Sequence, residues 1–334
     1  MRKVIVIVLI LSMTFLTGCY DYLDAENMSY VTAVSVDMGQ GGQYEYCFQF
    51  VNPLSEEGEF ITYIAQGNSL HAAINKVSQM ITRRISFTHI KLVAVSMKAA
   101  EELDKAIAGF NASRFYRPDI ILGVVYGDKA SEMFSSFEPE LEGNAARYYE
   151  LEFSAQNSLS KVSTTVKDYF SYNSCALPLI SGSTINGIAV IKNGHLFALG
   201  DEDDAICYNL LTKGAKQSVF SDALISCREP SVKESWKKGK PHVEYSIKVD
   251  VSPLIKYKNT EKVKYELESI LTVFTNKYII DGHVDLLNST RHFKKHFLTE
   301  KEWKKQNIAS DINDIGVKVG IITTETKKGR SVVN

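Results

Sequence analysis

Residues 31–38, VTAVSVDM, alternate apolar and polar positions and are rich in β-branched side chains. The Gly-rich stretch MGQGGQ breaks this run, and YEYCFQFV resumes it. Two such runs around a glycine turn predict a β-hairpin. EFITYIAQ (59–66) predicts a third strand. From Ser69 the period changes: Leu70, Ala73, Ile74, Val77, Met80 and Ile81 recur at helical spacing behind an N-cap residue. IKLVAVS (90–96) and DIILGVVYG (119–127) are almost continuously apolar, as strands covered on both faces are. Between them Leu103, Ile107 and Phe110 mark a second amphipathic helix.

From about residue 128 to 173 the pattern predicts helix, with Met133, Phe134, Tyr148 and Leu151 as core candidates, and Pro178 with SGSTING punctuates it. GIAVI, the turn Lys192-Asn193-Gly194 and HLFAL form a second predicted hairpin. Acidic residues then open the helix DDAICYNLLTKG, which Gly214 stops. Strands are predicted at 216–226 and 242–251, and a long helix at about 260–280 buries Val263, Leu267, Ile270, Leu271, Phe274 and Tyr278. A helical turn at Trp303 and a strand at 315–325 close the chain. Strand pairs mixed with single helices predict a mixed α+β fold, with several small mixed sheets and packed helices, rather than a doubly wound parallel sheet.

The N-terminus stands apart from this patterning. Arg2 and Lys3 precede an uncharged apolar run ending near Phe15, too short at about 1.5 Å per helical residue for the roughly 30 Å core of a bilayer. This is the layout of a secretory signal peptide, residues 1–18. Leu16-Thr17-Gly18-Cys19 resembles a lipobox, in which the cysteine thiol receives diacylglycerol before cleavage. Membrane lipid is therefore an expected partner, and residues 19–30 an expected tether. Behind the leader, 316 residues suffice for two domains or three small ones. Regions 31–190 and 191–334 are the expected halves, dividing into three compact domains. The formal net charge of −1 conceals an imbalance: residues 211–334 carry +8 and residues 1–210 carry −9. Unequal solvated faces explain this, as does a basic half facing anionic headgroups or an acidic partner.

Candidate chemistry changes the picture little. Cys47, Cys175, Cys207 and Cys227 are too widely spaced for zinc or redox motifs. Their apolar surroundings predict buried thiols, with a Cys207–Cys227 bridge as the alternative. His292 and His296 are four apart, but Phe293 and lysines stand where a metalloprotease helix needs its glutamate. Gly200–Asp204 lacks the alternating ligands of a calcium loop. No dinucleotide fingerprint, phosphate loop or nucleophile elbow is present. An enzyme is not expected, nor is any cofactor or metal beyond acyl lipid on Cys19.

Several separated segments resemble one family, the C subunits of spore nutrient germinant receptors (the GerAC-like or Ger(x)C lipoproteins). These are Gly18-Cys19-Tyr20-Asp21 with Asp24, the strand ending at Asp37, Arg83 or Arg84, and Phe87-Thr88-His89-Ile90-Lys91 leading into an apolar strand. Gly187–Lys192 and the acid-led helix after Gly200 follow in the same order. Tyr20 stands where the family usually has Trp, Ser35 where it has Gly and Ile191 where it has Phe. The resemblance implies a lipoprotein on the outer face of the spore inner membrane. Its expected partners are an integral-membrane A-type and an integral-membrane B-type subunit. It also implies a non-catalytic, scaffold-like part in nutrient-triggered germination, with direct nutrient binding left open. Asp21, Asp37, Phe87, His89, Lys91 and Gly187 are expected to shape the fold or the partner surface. Asp21 and Asp37 would cap turns, His89 would be hydrogen-bonded within the fold, Lys91 would shield a strand edge, and Gly187 would serve backbone geometry. A lipid-anchored solute-binding protein is the alternative from another functional class.

Overall fold

The computed structural model describes residues 27–51, 60–112, 119–135, 159–171, 174–182, 184–220, 223–237, 240–253, 260–296, 299, 302 and 314–322. The leader, Cys19, Asp21, Tyr148, Leu151 and Trp303 lie outside the described residues.

The strands gather into two sheets, one of nine strands and one of five. Strand β1 (Met28–Met38) turns through Gln40–Gly42 into the antiparallel β2 (Tyr44–Val51), which pairs with β3 (Phe60–Gly67). The turn needs its glycines, because Gly41 and Gly42 have φ of +67° and +77°. Helix α1 (Leu70–Met80) starts where the Ser69 hydroxyl accepts from the Ala72 amide, and it buries Leu70, Ala73 and Val77. Strands β4 (Arg84–Ser86) and β5 (Leu92–Ser96) both run parallel to β1. Two helices, α2 (Met97–Ala100) and α3 (Leu103–Ala112), lead to β6 (Ile121–Val125), and α4 (Val166–Ser171) precedes β7 (Ser174–Ser181). Strands β8 (Thr184–Lys192) and β9 (His195–Gly200) form the second hairpin and extend the same sheet to Gly200. Its turn residues Asn193 and Gly194 have φ of +51° and +79°, the pairing a two-residue hairpin turn demands.

The sheet order is β3-β2-β1-β5-β6-β7-β8-β9, with β1, β5, β6 and β7 mutually parallel at its centre. That is why the 90–96 and 119–127 segments are apolar throughout: β5 is buried along its whole length and β6 at four of its five residues. The region around Pro178 is strand, not a break. Pro178 pairs with Ile188 beside a register irregularity, where a residue without an amide hydrogen is tolerated.

The second sheet contains β10 (Ala215–Phe220), β11 (Ala223–Cys227), β12 (Ser231–Lys237), β13 (Lys240–Pro253) and β14 (Asp314–Ile322). The single strand expected at 216–226 is two antiparallel strands, β10 and β11. Strands β11 and β12 lie end to end along β13, while β14 runs parallel to β13. Helix α5 (Glu202–Thr212) and helix α6 (Thr260–Thr275) share a core with this sheet and with Ala176, Ile188 and Val190 of the large one. A separate core, between the large sheet and α1–α4, is built on Tyr46, Phe48, Val93, Leu103 and Ile107. All four cysteines after Cys19 are free thiols, so Cys207 and Cys227 are not bridged. Among the described residues no helix is long and apolar enough to cross a membrane.

Candidate functional site

The expected site residues distribute along β1 and its neighbours. At the N-terminal end of β1, Met28–Tyr30 pairs with Arg84–Ser86, and Ala33–Val36 pairs with Leu92–Val95. The register offset rises by three between these ladders, so Phe87–Lys91 leaves the sheet as a short protruding loop. Its backbone is tied down: Ile90 N–H donates to the Phe87 carbonyl at 3.3 Å, and Lys91 N–H to the Thr32 carbonyl at 2.8 Å. The Lys91 carbonyl accepts from Ile121 N–H at 2.9 Å. Lys91 therefore shields no strand edge, because β5 lies between β1 and β6.

Two loop residues anchor and two project. Phe87 is buried with its ring edge-on to Phe48 at 6.2 Å, and Ile90 is fully buried. These two insert into the core on either side of Thr88 and His89, which are exposed. The His89 ring stands edge-on to Tyr30 at 4.6 Å, and its Nδ1 lies 3.0 Å from the Thr88 hydroxyl. The hydroxyls of Ser86 and Thr88 are 3.0 Å apart. Tyr30, Thr88 and His89 thus form a polar and aromatic tip on a rigid stem. Arg83, immediately before β4, buries its Nη1 with no hydrogen-bond partner among the described residues. A buried donor left unpaired costs about 1–3 kcal/mol, a deficit that a carboxylate or phosphate would relieve.

At the other end of β1, Asp37 is buried and accepts from the amides of Ala130 and Ser131 at 2.6 and 3.1 Å. It caps the short 3-10 turn Ser131–Ser135 across 93 residues of sequence. Gly187 has φ of +88°, and a Cβ there would run into the Gly200 carbonyl oxygen and lie 3.1 Å from Asp201 Cα. This close approach sets the exit of β9 into α5, where Asp201 and Asp204 form a reciprocal capping box.

Sequence reasoning missed one constellation. The buried Asp204 carboxylate accepts from Lys277 Nζ and Tyr278 OH, each at 2.7 Å. Both donors sit at the start of the wide turn Asn276–Asp281 that continues α6. Burial, and then the Asp204 carboxylate, push the Tyr278 phenol well above its usual range. The acid-led helix signalled the cap, but nothing local signalled partners more than seventy residues away. Burial likewise raises the thiols of Cys47, Cys175 and Cys207, with Cys47 reaching about 12.

The family match falls on the part of the molecule that carries Asp37, Phe87, His89 and Lys91, and ends short of Gly187 and Asp204. The family model "Spore germination protein N-terminal domain" matches residues 21–181, from ahead of β1 to the end of β7. The chain belongs to the Ger(x)C family of spore germination proteins. A family member from Bacillus subtilis (strain 168), spore germination protein KC, is 24% identical over 151 residues. That match covers 41% of this chain and only 37% of the relative's length. A solved structure titled as the crystal structure of the GerBC protein superposes with a TM-score of 0.49 at 14% identity. It covers 86% of this chain and 96% of that one.

Proposed function

We propose that this chain is the lipid-anchored C subunit of a nutrient germinant receptor. It acts as a non-catalytic scaffold for integral-membrane A-type and B-type subunits on the outer face of the spore inner membrane. Membership of the spore germination C-subunit family carries this reading. The lipobox at Cys19 supports the anchor. Eight residues lie between Cys19 and Met28, so nine extended steps of about 3.3–3.6 Å each keep the start of β1 within roughly 30 Å of the lipid. The Tyr30–His89 tip and Arg83 stand at that same end of β1. A rigid tip that presents aromatic, imidazole and hydroxyl groups suits docking onto another subunit. Asp37, Phe87 and Gly187 serve the frame that holds it. Confinement to the membrane raises the effective concentration of the partners.

Two measurements test the reading. Cys19→Ala should move the chain from the membrane to the soluble fraction or leave it unprocessed; undiminished membrane retention would refute the anchor. Tyr30→Ala combined with His89→Ala should lower co-purification of the A-type and B-type subunits while thermal stability changes by no more than a few degrees. Unaltered co-purification would remove the tip from the docking surface.

A further inference from the structure

We propose that the closed end of the β12–β13 hairpin is a second membrane-contact element, which docks on anionic phospholipid headgroups. This rests on the reading of the chain as membrane-tethered, but it concerns a different part of the molecule.

The last rungs of the hairpin pair Trp236 with Pro241 and Lys237 with Lys240. Along β12, alternation turns Val232, Glu234 and Trp236 toward the core side. The core runs out before the hairpin does. Phe293 is fully buried and meets the Trp236 ring edge-on at 5.4 Å, yet Trp236 remains 49% exposed. One edge of the indole is therefore fixed by packing while the other faces outward. The 3-10 segment Ser289–His296, which supplies Phe293, contains no acidic residue and exposes Arg291, Lys294 and Lys295. Glu234 is the single acid on β12, and it is already engaged by Lys295, with His296 Nε2 at 3.7 Å. The half-exposed tryptophan thus packs against a segment that exposes Arg291, Lys294 and Lys295.

This combination fits a bilayer surface better than an acidic protein. An indole with one apolar face and one polar N–H settles at headgroup level, and lysine and arginine gain from the negative surface potential of anionic lipid. Neither requires a fixed constellation of partner carboxylates. Diacylglycerol on Cys19 supplies two acyl chains and so the anchoring itself; the basic patch instead sets how the body is oriented against the anionic surface. The +8 balance of residues 211–334 then has a purpose.

Trp236 and Trp303 are the two tryptophans of the chain, so Trp303→Phe leaves Trp236 as sole reporter. The membrane-extracted full chain carrying this change is mixed with phosphatidylcholine vesicles containing 30% phosphatidylglycerol, and with vesicles of phosphatidylcholine alone. Both sets carry lipid brominated near the headgroup end of the acyl chain. Quenching of Trp236 on the phosphatidylglycerol vesicles, at least tenfold tighter than on the neutral ones, is expected. It should fall away in 1 M salt and with Lys240→Gln, Arg291→Gln and Lys294→Gln combined. If Trp303→Phe unfolds the chain, flotation of the Cys19→Ala chain with both tryptophans on the two vesicle types reads the same charge preference. Equal quenching on both vesicles, or none on either, overturns the proposal. An unquenched Trp236 that becomes shielded from acrylamide within the receptor complex also overturns it, and assigns the hairpin to a protein partner. The anchor is read separately: a Cys19→Ala chain that still quenches on phosphatidylglycerol supports the hairpin site whatever holds Cys19.

Discussion

Gly187→Ala should be among the most damaging single-methyl additions to this protein, and its cost follows from the geometry. Gly187 has φ of +88°, where a side chain of ordinary chirality is strained by roughly 1–2 kcal/mol. Its added Cβ would overlap the Gly200 carbonyl oxygen and press on Asp201 at 3.1 Å. Those are backbone atoms at the end of a paired strand, since Gly200 faces Ile188 in the ladder. They cannot swing aside as a side-chain tip would, so overpacking adds about 1–3 kcal/mol. Moving Asp201 also disturbs its 3.0 Å bond with the Asp204 amide. The sum is about 2–5 kcal/mol. At about 2–4 °C per kcal/mol for domains of 150–250 residues, the melting temperature should fall by on the order of 10 °C. Circular dichroism melts of Gly187→Ala beside Gly41→Ala provide the test. Gly41 has a similar φ of +67° but open space around it, so it carries the backbone strain without the collision. If the two substitutions cost the same, the close approach of β8 to the β9–α5 junction plays no part in stability, and the reasoning fails.

Asp204→Asn should destabilise by roughly 2 kcal/mol, below the about 3–5 kcal/mol of a fully buried pair because Lys277 is 47% exposed; a urea midpoint matching the parent would refute it. Asp37→Ala leaves one buried and one part-buried amide without their acceptor, which costs about 2–4 kcal/mol. Hydrogen exchange at Ala130 and Ser131 should accelerate, and unchanged protection there would count against the cap. Cys227 is partly exposed while Cys47, Cys175 and Cys207 are buried with raised thiol pKa values. One of these four thiols should therefore react promptly with a disulfide reagent near pH 8 and three only on unfolding; two or more prompt thiols would contradict the burial.

The chain's own sequence determined what depends on neighbours a few residues apart. The period of two in 31–38 and 44–51, the helical spacing from Leu70, the Asn193-Gly194 turn and the acid-led start of α5 are all local signals, and each appears where the pattern puts it. The apolar runs at 90–96 and 119–127 announced strands covered on both faces, and so the centre of a sheet. Tertiary structure alone decided which strands meet. It made Phe87–Lys91 a protruding loop, because only the ladder with β1 shows three residues to be surplus. It kept Pro178 inside a strand, since a neighbouring irregularity relieves its missing amide hydrogen. It joined Asp37 to Ala130, and Asp204 to Lys277 and Tyr278, across separations over which composition carries no information. A residue's period reports which face it occupies; its partner is chosen when distant elements pack, and at that point Asp37 became a cap and His89 an exposed tip.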